Sequence, residues 1–336
     1  MMRSLKDAVV VIVGASSGIG EATAEEFAAE GARLVLAARN GPALEAIAER
    51  CRRKGVRVLV VPTDVTEPRQ ITALAGTAHS FGRIDVWVSN VGVGAVGRFQ
   101  DVPFEAHEKI IRANLLSHMQ EAHAVLPVFL EQGHGTFINM ISLGGFAATP
   151  FAAAYAASKF GLRGFAQSLR AELSAHRDIH ICDIYPAFVD TPGLKHGANY
   201  VGRAIKPPPP VIDARRVARA IVHAARSPRA TTTVGAVTNA TRLIVAIAPN
   251  LAASMLAKGM ERAFRRAERV DRSEGNLHRA SLEPGGIDGG FRQPGLMRSP
   301  SGAVLAGVAV AGLALVAGRL LAGGRASARH RSLRHF

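Results

Sequence analysis

The sequence predicts an α/β fold, in which a parallel β-sheet is covered by helices on both faces. Three observations favour this fold. Short runs rich in β-branched residues alternate with longer helical segments along the first 235 positions. The runs are apolar throughout, as expected for strands buried on both faces. A glycine-rich turn joins the first run to the following helix, where doubly wound sheets bind their ligands.

The predicted elements follow one another in a regular order. Strands are predicted at residues 8–14, 33–38, 56–62, 84–90, 135–142 and 179–185, and helices near 18–30, 42–54 and 67–80. A long alanine-rich helix at 152–176 precedes the sixth strand. A helix near 213–226 and a short strand around 231–235 close the fold.

Composition excludes several classes of protein. Hydrophobic residues make up 48% of the 336 positions, which excludes global disorder. Cys51 and Cys182 are far apart and lack the spacing of metal ligands, which favours a reducing compartment over a disulfide framework. The net charge is +15, and more than half of it lies from residue 258 onward, where 14 basic and 6 acidic side chains occur. A basic tail beside an apolar segment indicates an anionic membrane surface rather than nucleic acid.

The N-terminus combines a basic start with an apolar run, as a signal peptide would. The run is short, lacks a small-residue cleavage site and leads directly into glycines. A buried strand explains this pattern better, so we expect no export and a cytoplasmic main domain.

The chain changes character after the sixth strand. Residues 1–235 are predicted to form the main domain, with a glycine- and proline-rich substrate lid at about 187–212. Four further segments are predicted: a helical extension at 236–269, a flexible linker at 270–298, an apolar helix at 299–322 and a basic tail at 323–336.

The apolar helix is a candidate membrane segment. Arg298 and Arg319 enclose 20 uncharged residues, and a helix of that length spans about 30 Å, close to a bilayer core. A spanning helix would carry the basic tail across the membrane, against the positive-inside tendency. An interfacial helix, a re-entrant insertion or packing against a partner subunit avoids this conflict, and a disordered or self-associating helix is the remaining alternative.

The stretch GASSGIG places three glycines between the first strand and the next helix. Glycines permit a tight turn and let a pyrophosphate reach the amides of the helix N-terminus. The spacing differs from the commoner G-x-G-x-x-G, and a plain strand–turn–helix junction is the alternative. Its place after the first strand favours a nucleotide site. The candidate cofactor-binding residues of this turn are Gly14, Ser16, Ser17, Gly18, Ile19 and Gly20.

The end of the second strand indicates the type of cofactor. An acidic residue there binds the ribose hydroxyls of NAD, whereas an arginine accommodates the 2′-phosphate of NADP. The chain has Ala38 and Arg39 and no acid, so we predict NADP(H) over NAD(H), with a solvated strand-end arginine as the alternative. Asp64 and Val65 after the third strand, and Asn90 after the fourth, are further candidates for cofactor contacts.

Tyr155 and Lys159 lie four positions apart, so they share one face of a helix. Ser142 ends the fifth strand, and Asn114 lies on the preceding helix. Hydride transfer to a carbonyl needs a proton donor at the developing alkoxide. Lowering the tyrosine pKa from ~10 to ~7 requires about 4 kcal/mol, which a nearby ammonium together with the oxidised nicotinamide could supply. Ser142 would bind the substrate oxygen and Asn114 a relay water. Each residue alone has an ordinary structural explanation, but their combination favours catalysis.

On these residues the chain resembles the classical short-chain dehydrogenases/reductases over about residues 5–235. The matching pieces are VGASSGIG, Asp64, SNVG at 89–92, Asn114, Ser142, YAASK at 155–159 and PAFVDT at 186–191. The resemblance implies a Rossmann fold with a seven-stranded parallel sheet in the order 3-2-1-4-5-6-7, followed here by the helical extension. It implies a catalytic tetrad of Asn114, Ser142, Tyr155 and Lys159, with Tyr155 and Lys159 also contacting the cofactor. Val189 and Thr191 should meet the nicotinamide amide.

Four positions depart from the family pattern. Val13 replaces a threonine, Ser89 and Val91 make an N-N-A-G element read S-N-V-G, and Ala187 replaces a glycine. These positions line the cofactor or stabilise the sheet, and they leave the chemistry unchanged.

The sequence therefore predicts an NADP(H)-dependent oxidoreductase that interconverts a carbonyl and a secondary alcohol. The apolar segment and the apolar residues near the lid, such as Phe146, Phe151 and Leu194, indicate a lipophilic substrate. We expect a homo-oligomer with membrane contact through 299–322, and neither a metal nor a nucleic-acid partner. A catalytically idle, membrane-tethered NADP-binding scaffold is the alternative, although such a scaffold needs no general acid.

Overall fold

Seven parallel strands form the centre of the molecule. The structure, a computed structural model, describes residues 4–279 and 285–292. The strands are β1 (Val9–Val13), β2 (Arg33–Ala38), β3 (Val58–Pro62), β4 (Ile84–Ser89), β5 (Gly135–Met140), β6 (Ile179–Pro186) and β7 (Thr231–Val234). Their order across the sheet is β3-β2-β1-β4-β5-β6-β7. The predicted fold class and strand order are confirmed.

Helices cover both faces of this sheet. They are α1 (Gly18–Ala29), α2 (Gly41–Arg52), α3 (Pro68–Phe81), α4 (Phe104–Ile111), α5 (Ser117–Gln132), α6 (Ala153–Glu172), α7 (Ala214–Arg226), α8 (Ala236–Ile247) and α9 (Pro249–Arg266). Side chains of α1, α2 and α7 pack on one face of the sheet. Those of α3, α5 and α6 pack on the other.

The sequence of β1, VVVIV, shows why the sheet is buried on both sides. Successive side chains of a strand point to opposite faces. Val10 and Ile12 accordingly join the core under α1, α2 and α7, whereas Val9, Val11 and Val13 join the opposite core. All five side chains are fully buried. A strand with such a pattern fits the centre of a doubly covered sheet and would expose apolar surface at an edge.

Strand register brings the carboxyl ends of three strands together. Val13 pairs with Ala37 of β2 on one side and with Ser89 of β4 on the other. Strands β2 and β4 lie on opposite sides of β1, and the connections that follow these strands diverge. A crevice therefore opens beyond the carboxyl ends of the strands. The residues that follow each strand, which include Gly14, Arg39 and Asn90, therefore surround one crevice.

The segments after β6 are partly regular. The predicted lid contains a helical turn at Gly193–His196 and three two-residue strands, Val189–Asp190, Ala198–Asn199 and Ile212–Asp213. Helices α8 and α9 lie within the range 236–269. Within the predicted linker, Ser273 forms an antiparallel bridge with Asn199 of the lid. The domain boundaries stay predictions.

The predicted apolar helix at 299–322 and the basic tail at 323–336 lie outside the described residues. Among the residues that the structure does describe, no helix is long and apolar enough to cross a bilayer.

A buried carboxyl group links the sheet to α5. Glu121 is fully buried, and its Oε2 atom accepts a hydrogen bond of 2.8 Å from Nε1 of Trp87. Burial is the main cause that raises the pKa of Glu121 to about 7, and the hydrogen bond from Trp87 counters it only in part. The folded chain therefore loses stability as the pH rises from 4.5 to about 7, because over this range the group ionises in the unfolded chain and stays protonated in the folded one.

Replacement of Glu121 by glutamine should remove this pH-dependent loss of stability. Glu121→Gln keeps an acceptor for Trp87 and carries no charge. Its free energy of unfolding should exceed the wild-type value at pH 8 by on the order of 3 kcal/mol, and the difference should shrink as the pH falls from 7 towards 4.5. Urea denaturation at several pH values measures it. Glu131→Gln, at an exposed position of the same helix, is the control. A difference that does not vary with pH would contradict this assignment.

Candidate active site

The glycine turn after β1 has a conformation that requires its glycines. Gly14 and Gly18 have positive φ angles of +79° and +57°, which side chains with a Cβ atom rarely adopt. A Cβ atom on Gly20 would lie 2.0 Å from the carbonyl oxygen of Gly14. Helix α1 can approach β1 this closely only because residue 20 has no side chain.

Neighbouring strands hold the turn in place. The Gly14 amide donates to the Ala37 carbonyl of β2 at 2.7 Å. On the other side, Nδ2 of Asn90 donates to the Gly14 carbonyl at 3.1 Å. The predicted cofactor contact Asn90 therefore also fixes the backbone of the turn.

The start of α1 is suited to an anion. Backbone amides at a helix N-terminus lack partners within the helix and carry a partial positive charge. Ser17 occupies the N-cap position, yet its side chain makes no capping hydrogen bond. Ser16, Ser17 and Ile19 are partly exposed. These groups fit a pyrophosphate.

The candidate residues for the adenosine end lie beyond β2 and β3. Arg39 is half-buried, and its Nη2 donates to the Asn276 carbonyl at 3.0 Å. Asp64 binds its own turn, because its Oδ1 accepts from the amide and the hydroxyl of Thr66 at 2.9 and 2.7 Å. Val65 is buried beside it. An arginine without a neighbouring acid at this position fits the 2′-phosphate of NADP(H).

Three members of the predicted tetrad come together at the carboxyl end of β5. The Ser142 hydroxyl, which accepts from the Gly144 amide at 3.1 Å, neighbours Tyr155 and acts to lower its pKa. The ammonium of Lys159 lies 5.9 Å from the Tyr155 ring centroid and donates to the Met140 carbonyl at 3.0 Å. Helix α6 presents both residues on one face, as their spacing predicts. The arrangement joins a hydroxyl pair to a cation, as proton transfer to an alkoxide requires.

Burial controls the titration of this group. It lowers the pKa of Lys159 to about 7. It also raises the pKa of Tyr155 above its ordinary value, and the neighbouring Ser142 hydroxyl opposes this only in part. The expectation of a Tyr155 pKa near 7, which includes the charge of an oxidised nicotinamide, stays a prediction.

Asn114 is placed differently from the other three. It lies in a π-helical turn, Arg112–Leu116, a feature common at functional sites. Its Oδ1 accepts from the Val93 amide and its Nδ2 donates to the Val93 carbonyl, both at 2.8 Å. Nδ2 also donates to the Ser158 hydroxyl at 3.2 Å. The side chain thus ties the loop after β4 to α6, and its relay role stays a prediction.

The lid brings the last two candidates to the glycine turn. Val189 is buried in a short strand that pairs with Ile212. A Cβ atom on Gly18 would lie 3.1 Å from the Thr191 side chain, so the lid and the turn are in close contact. The nicotinamide end predicted for Val189 and Thr191 is therefore beside the phosphate end of the same crevice.

Sequence reasoning missed several residues at this site. The Met140 carbonyl and the Ser158 hydroxyl hold Lys159 and Asn114 through contacts that composition does not reveal. Asn276 and Leu277 lie in the segment that was predicted as a flexible linker, so their proximity to Arg39 and Tyr155 was not anticipated. The glycine-, proline- and charge-rich composition of that segment indicates only a linker.

Comparison with known proteins agrees with this geometry. The family model described as short chain dehydrogenase matches residues 8–199. "Uncharacterized oxidoreductase YxnA" of Bacillus subtilis is 34% identical over 269 residues, which cover 77% of this chain and 74% of the relative. A Staphylococcus aureus protein, also named an uncharacterized oxidoreductase, is 36% identical over 191 residues, which cover 56% of this chain and 81% of that protein.

Two solved structures have a similar fold. An alcohol dehydrogenase from the archaeon Thermococcus sibiricus, complexed with 5-hydroxy-NADP, aligns with a TM-score of 0.59 and 27% identity over 68% of this chain and 95% of its own. A metagenomic short-chain oxidoreductase in complex with NADP gives the same TM-score at 28% identity, over 69% and 98% of the two chains. The family match, the relatives and the fold lead to one conclusion: the chain belongs to the short-chain dehydrogenase family and is an oxidoreductase.

Proposed function

We propose that the protein is an NADP(H)-dependent oxidoreductase that interconverts a carbonyl group and a secondary alcohol. The observation that carries this proposal is the Lys159 ammonium 5.9 Å from the Tyr155 ring centroid, with the Ser142 hydroxyl also beside Tyr155, next to a glycine turn suited to a nucleotide. The NADP-bound structural neighbours and Arg39 at the end of β2 support the choice of cofactor.

In this mechanism the chain supplies binding, orientation and a proton. The bound nicotinamide supplies or accepts the hydride. Tyr155 donates its phenolic proton to the substrate oxygen as negative charge develops there, and the Ser142 hydroxyl donates a second hydrogen bond to that oxygen. In the oxidation direction the Tyr155 phenolate accepts the alcohol proton, and the Ser142 hydroxyl orients the alcohol.

Lys159 stabilises the phenolate form of Tyr155 after the proton has left. Because the ammonium is 2% exposed, water screens its charge little. We propose that Asn114 supports a water-mediated route by which the proton reaches solvent, through the backbone that its side chain fixes at Val93.

The walls beside Tyr155 favour an apolar substrate. A small cavity there is lined by Ala95, Val102, Ile110 and Phe151, by His107 and by Tyr155 itself. Most of these walls are apolar and provide contacts for hydrocarbon. Phe146, which we expected near the lid, instead packs on Tyr185 in the core with ring centroids 4.3 Å apart. Homo-oligomer formation and membrane contact through 299–322 stay predictions.

Replacement of Tyr155 by phenylalanine removes the proton donor and keeps the ring. Tyr155→Phe should lower kcat by roughly 100-fold to 10,000-fold, the usual contribution of a positioned general acid, while NADPH affinity changes little. Turnover is followed by NADPH absorbance with a panel of apolar ketones and secondary alcohols. Phe151→Tyr, in the same cavity, is a matched control for ring chemistry. Near wild-type turnover in Tyr155→Phe would refute the mechanism.

Arg39 should determine the preference for NADP(H). Arg39→Gln removes the charge but keeps much of the length, so the Kd for NADPH should rise roughly 10-fold to 100-fold, as expected for a lost charge-assisted hydrogen bond. The Kd for NADH should change by less than about threefold, as for a substitution remote from the ligand, because NADH has no 2′-phosphate for Arg39 to bind. Fluorescence titration measures both constants. Arg53→Gln, an exposed position after α2, is the control. Equal losses for NADPH and NADH would exclude 2′-phosphate recognition.

The buried charge of Lys159 should cost stability. Its folded-state pKa of about 7 lies below its ordinary value of 10.5, so the full destabilisation applies below pH 7 and disappears as the pH rises towards 10.5. Lys159→Met should therefore raise the Tm most at pH 6 and by much less at pH 10, while it abolishes turnover. Lys258→Met, at an exposed position of α9, is the control. A Tm gain that is constant between pH 6 and pH 10 would show that Lys159 carries no such cost.

A further inference from the structure

The segment that follows α9 crosses the mouth of the cofactor crevice. We call the described residues 273–279 and 285–292 the C-terminal strap; they lie beyond the family match at 8–199. Ser273 and Asn199 exchange backbone hydrogen bonds of 3.0 and 2.8 Å, and the Asn276 amide donates to the His196 carbonyl at 2.8 Å. The first part of the strap is therefore joined to the substrate lid.

The same part of the strap contacts the adenosine end. The Asn276 carbonyl accepts a hydrogen bond of 3.0 Å from Nη2 of Arg39. A guanidinium has five N–H groups, so the others remain for a phosphate. The side-chain Oδ1 of Asn276 is buried and has no hydrogen-bond partner in the part of the chain that the structure describes. A ribose hydroxyl or an adenine amino group of a bound cofactor would supply the donor that this atom lacks.

The second part of the strap contacts the phosphate and nicotinamide ends. The Gly18 amide donates to the Gly286 carbonyl at 2.8 Å, and the Gly286 amide donates to Oε2 of Glu21 at 2.9 Å. Further along, the Asp190 carboxylate accepts from the Phe291 amide at 2.8 Å. It also accepts from the amide and Nε of Arg292 at 3.2 and 3.1 Å. The strap thus contacts Arg39, the glycine turn and the lid.

The strap leaves part of the crevice exposed. Gly92, close to the Lys159 ammonium, is exposed. Ser16, Ile19 and Asn90 keep part of their surface exposed as well. A segment that filled the crevice completely would bury these residues. The strap therefore contacts the crevice without filling it, although its Gly286 carbonyl occupies the Gly18 amide.

Leu277 extends the strap to the substrate side. It is 5% exposed and belongs to an apolar cluster with Ala95, Ala154 and Ala198, against which Tyr155 packs. A leucine from outside the family-matched region therefore contributes to the apolar surroundings of the proposed proton donor.

We propose that the C-terminal strap is the roof of the active site: it encloses the bound NADP(H), with Asn276 as a positioning residue for Arg39 and Leu277 as a specificity-determining residue of the substrate pocket. This inference rests on the proposed function. It assigns to residues 273–279 and 285–292 a role in cofactor retention and substrate choice that the main domain alone does not provide.

Glycines of the strap offer a way to displace it without changing the main domain. A Cβ atom on Gly289 would lie 2.4 Å from the Thr191 carbonyl oxygen, and one on Gly285 would lie 2.6 Å from the Ser16 carbonyl oxygen. Because neither glycine has a positive φ, alanine introduces a clash there and no backbone strain. Gly259→Ala is the matched control, since its Cβ would enter open space on α9.

The first test compares NADPH binding in the full-length variants Gly285→Ala and Gly289→Ala with the wild type. The Kd for NADPH should rise at least fivefold, by about 1 kcal/mol, chiefly through faster dissociation in stopped-flow fluorescence. Hydrogen exchange should quicken at residues 16–21 and 285–292 and stay unchanged in β1 and β4, which shows that the fold is intact. An unchanged Kd for NADPH would refute the proposal that the strap encloses the cofactor. A lower Kd in the variants would also refute it, because the strap would then compete with the cofactor.

The second test concerns Leu277. Leu277→Ala should raise KM for a small apolar ketone at least threefold with little change in kcat, shift the preference towards bulkier ketones, and leave the Kd for NADPH unchanged; Leu277→Met should restore the wild-type pattern. A loss confined to kcat, or no change in preference, would refute the role of Leu277. Failure of the wild type to bind NADPH would overturn the proposed function and the roof together. If the wild type binds NADPH and the strap variants bind it with the same Kd, only the proposed role of the strap is refuted.

Discussion

The close approach of α1 to the turn after β1 is the contact on which the site depends. With only 2.0 Å between the Gly14 carbonyl oxygen and the place where a Cβ of residue 20 would lie, any side chain there would push the helix away from the sheet. The amides at the start of α1 would then move out of the crevice. The same displacement would separate Gly18 from Thr191, so the lid also depends on this one steric condition.

Around this contact, two physical demands on the site conflict. A dry crevice strengthens every electrostatic interaction with a reacting oxygen, yet it also penalises the charged form of each group that lines it. Lys159 shows the penalty in its lowered pKa, and Tyr155 shows it in its raised pKa. The Met140 carbonyl, which accepts a hydrogen bond from the Lys159 ammonium, partly compensates. Burial of the Lys159 ammonium therefore costs the folded chain stability, while it suits the proposed proton transfer.

Local patterns explain which features could be predicted from the sequence. The strands were predictable because a run such as VVVIV in β1 fits only a doubly buried strand, and the resemblance to a known family supplied their order. Tyr155 and Lys159 were predictable because helical spacing alone places them on one face. The π-helical turn around Asn114 was not predictable, because it accompanies hydrogen bonds of the Asn114 side chain to Val93 and Ser158, which are far away in the sequence. The strap was missed because a glycine- and proline-rich composition describes a free linker equally well.

The strap contacts also have a consequence for how the molecule assembles. Arg39 and Asn276 are separated by 237 positions and Glu21 and Gly286 by 265, so these contacts close very long loops. All seven strands precede the strap in the chain, and each can pair before residue 273 leaves the ribosome. During synthesis the sheet and the glycine turn can therefore form before the strap that contacts them has been made.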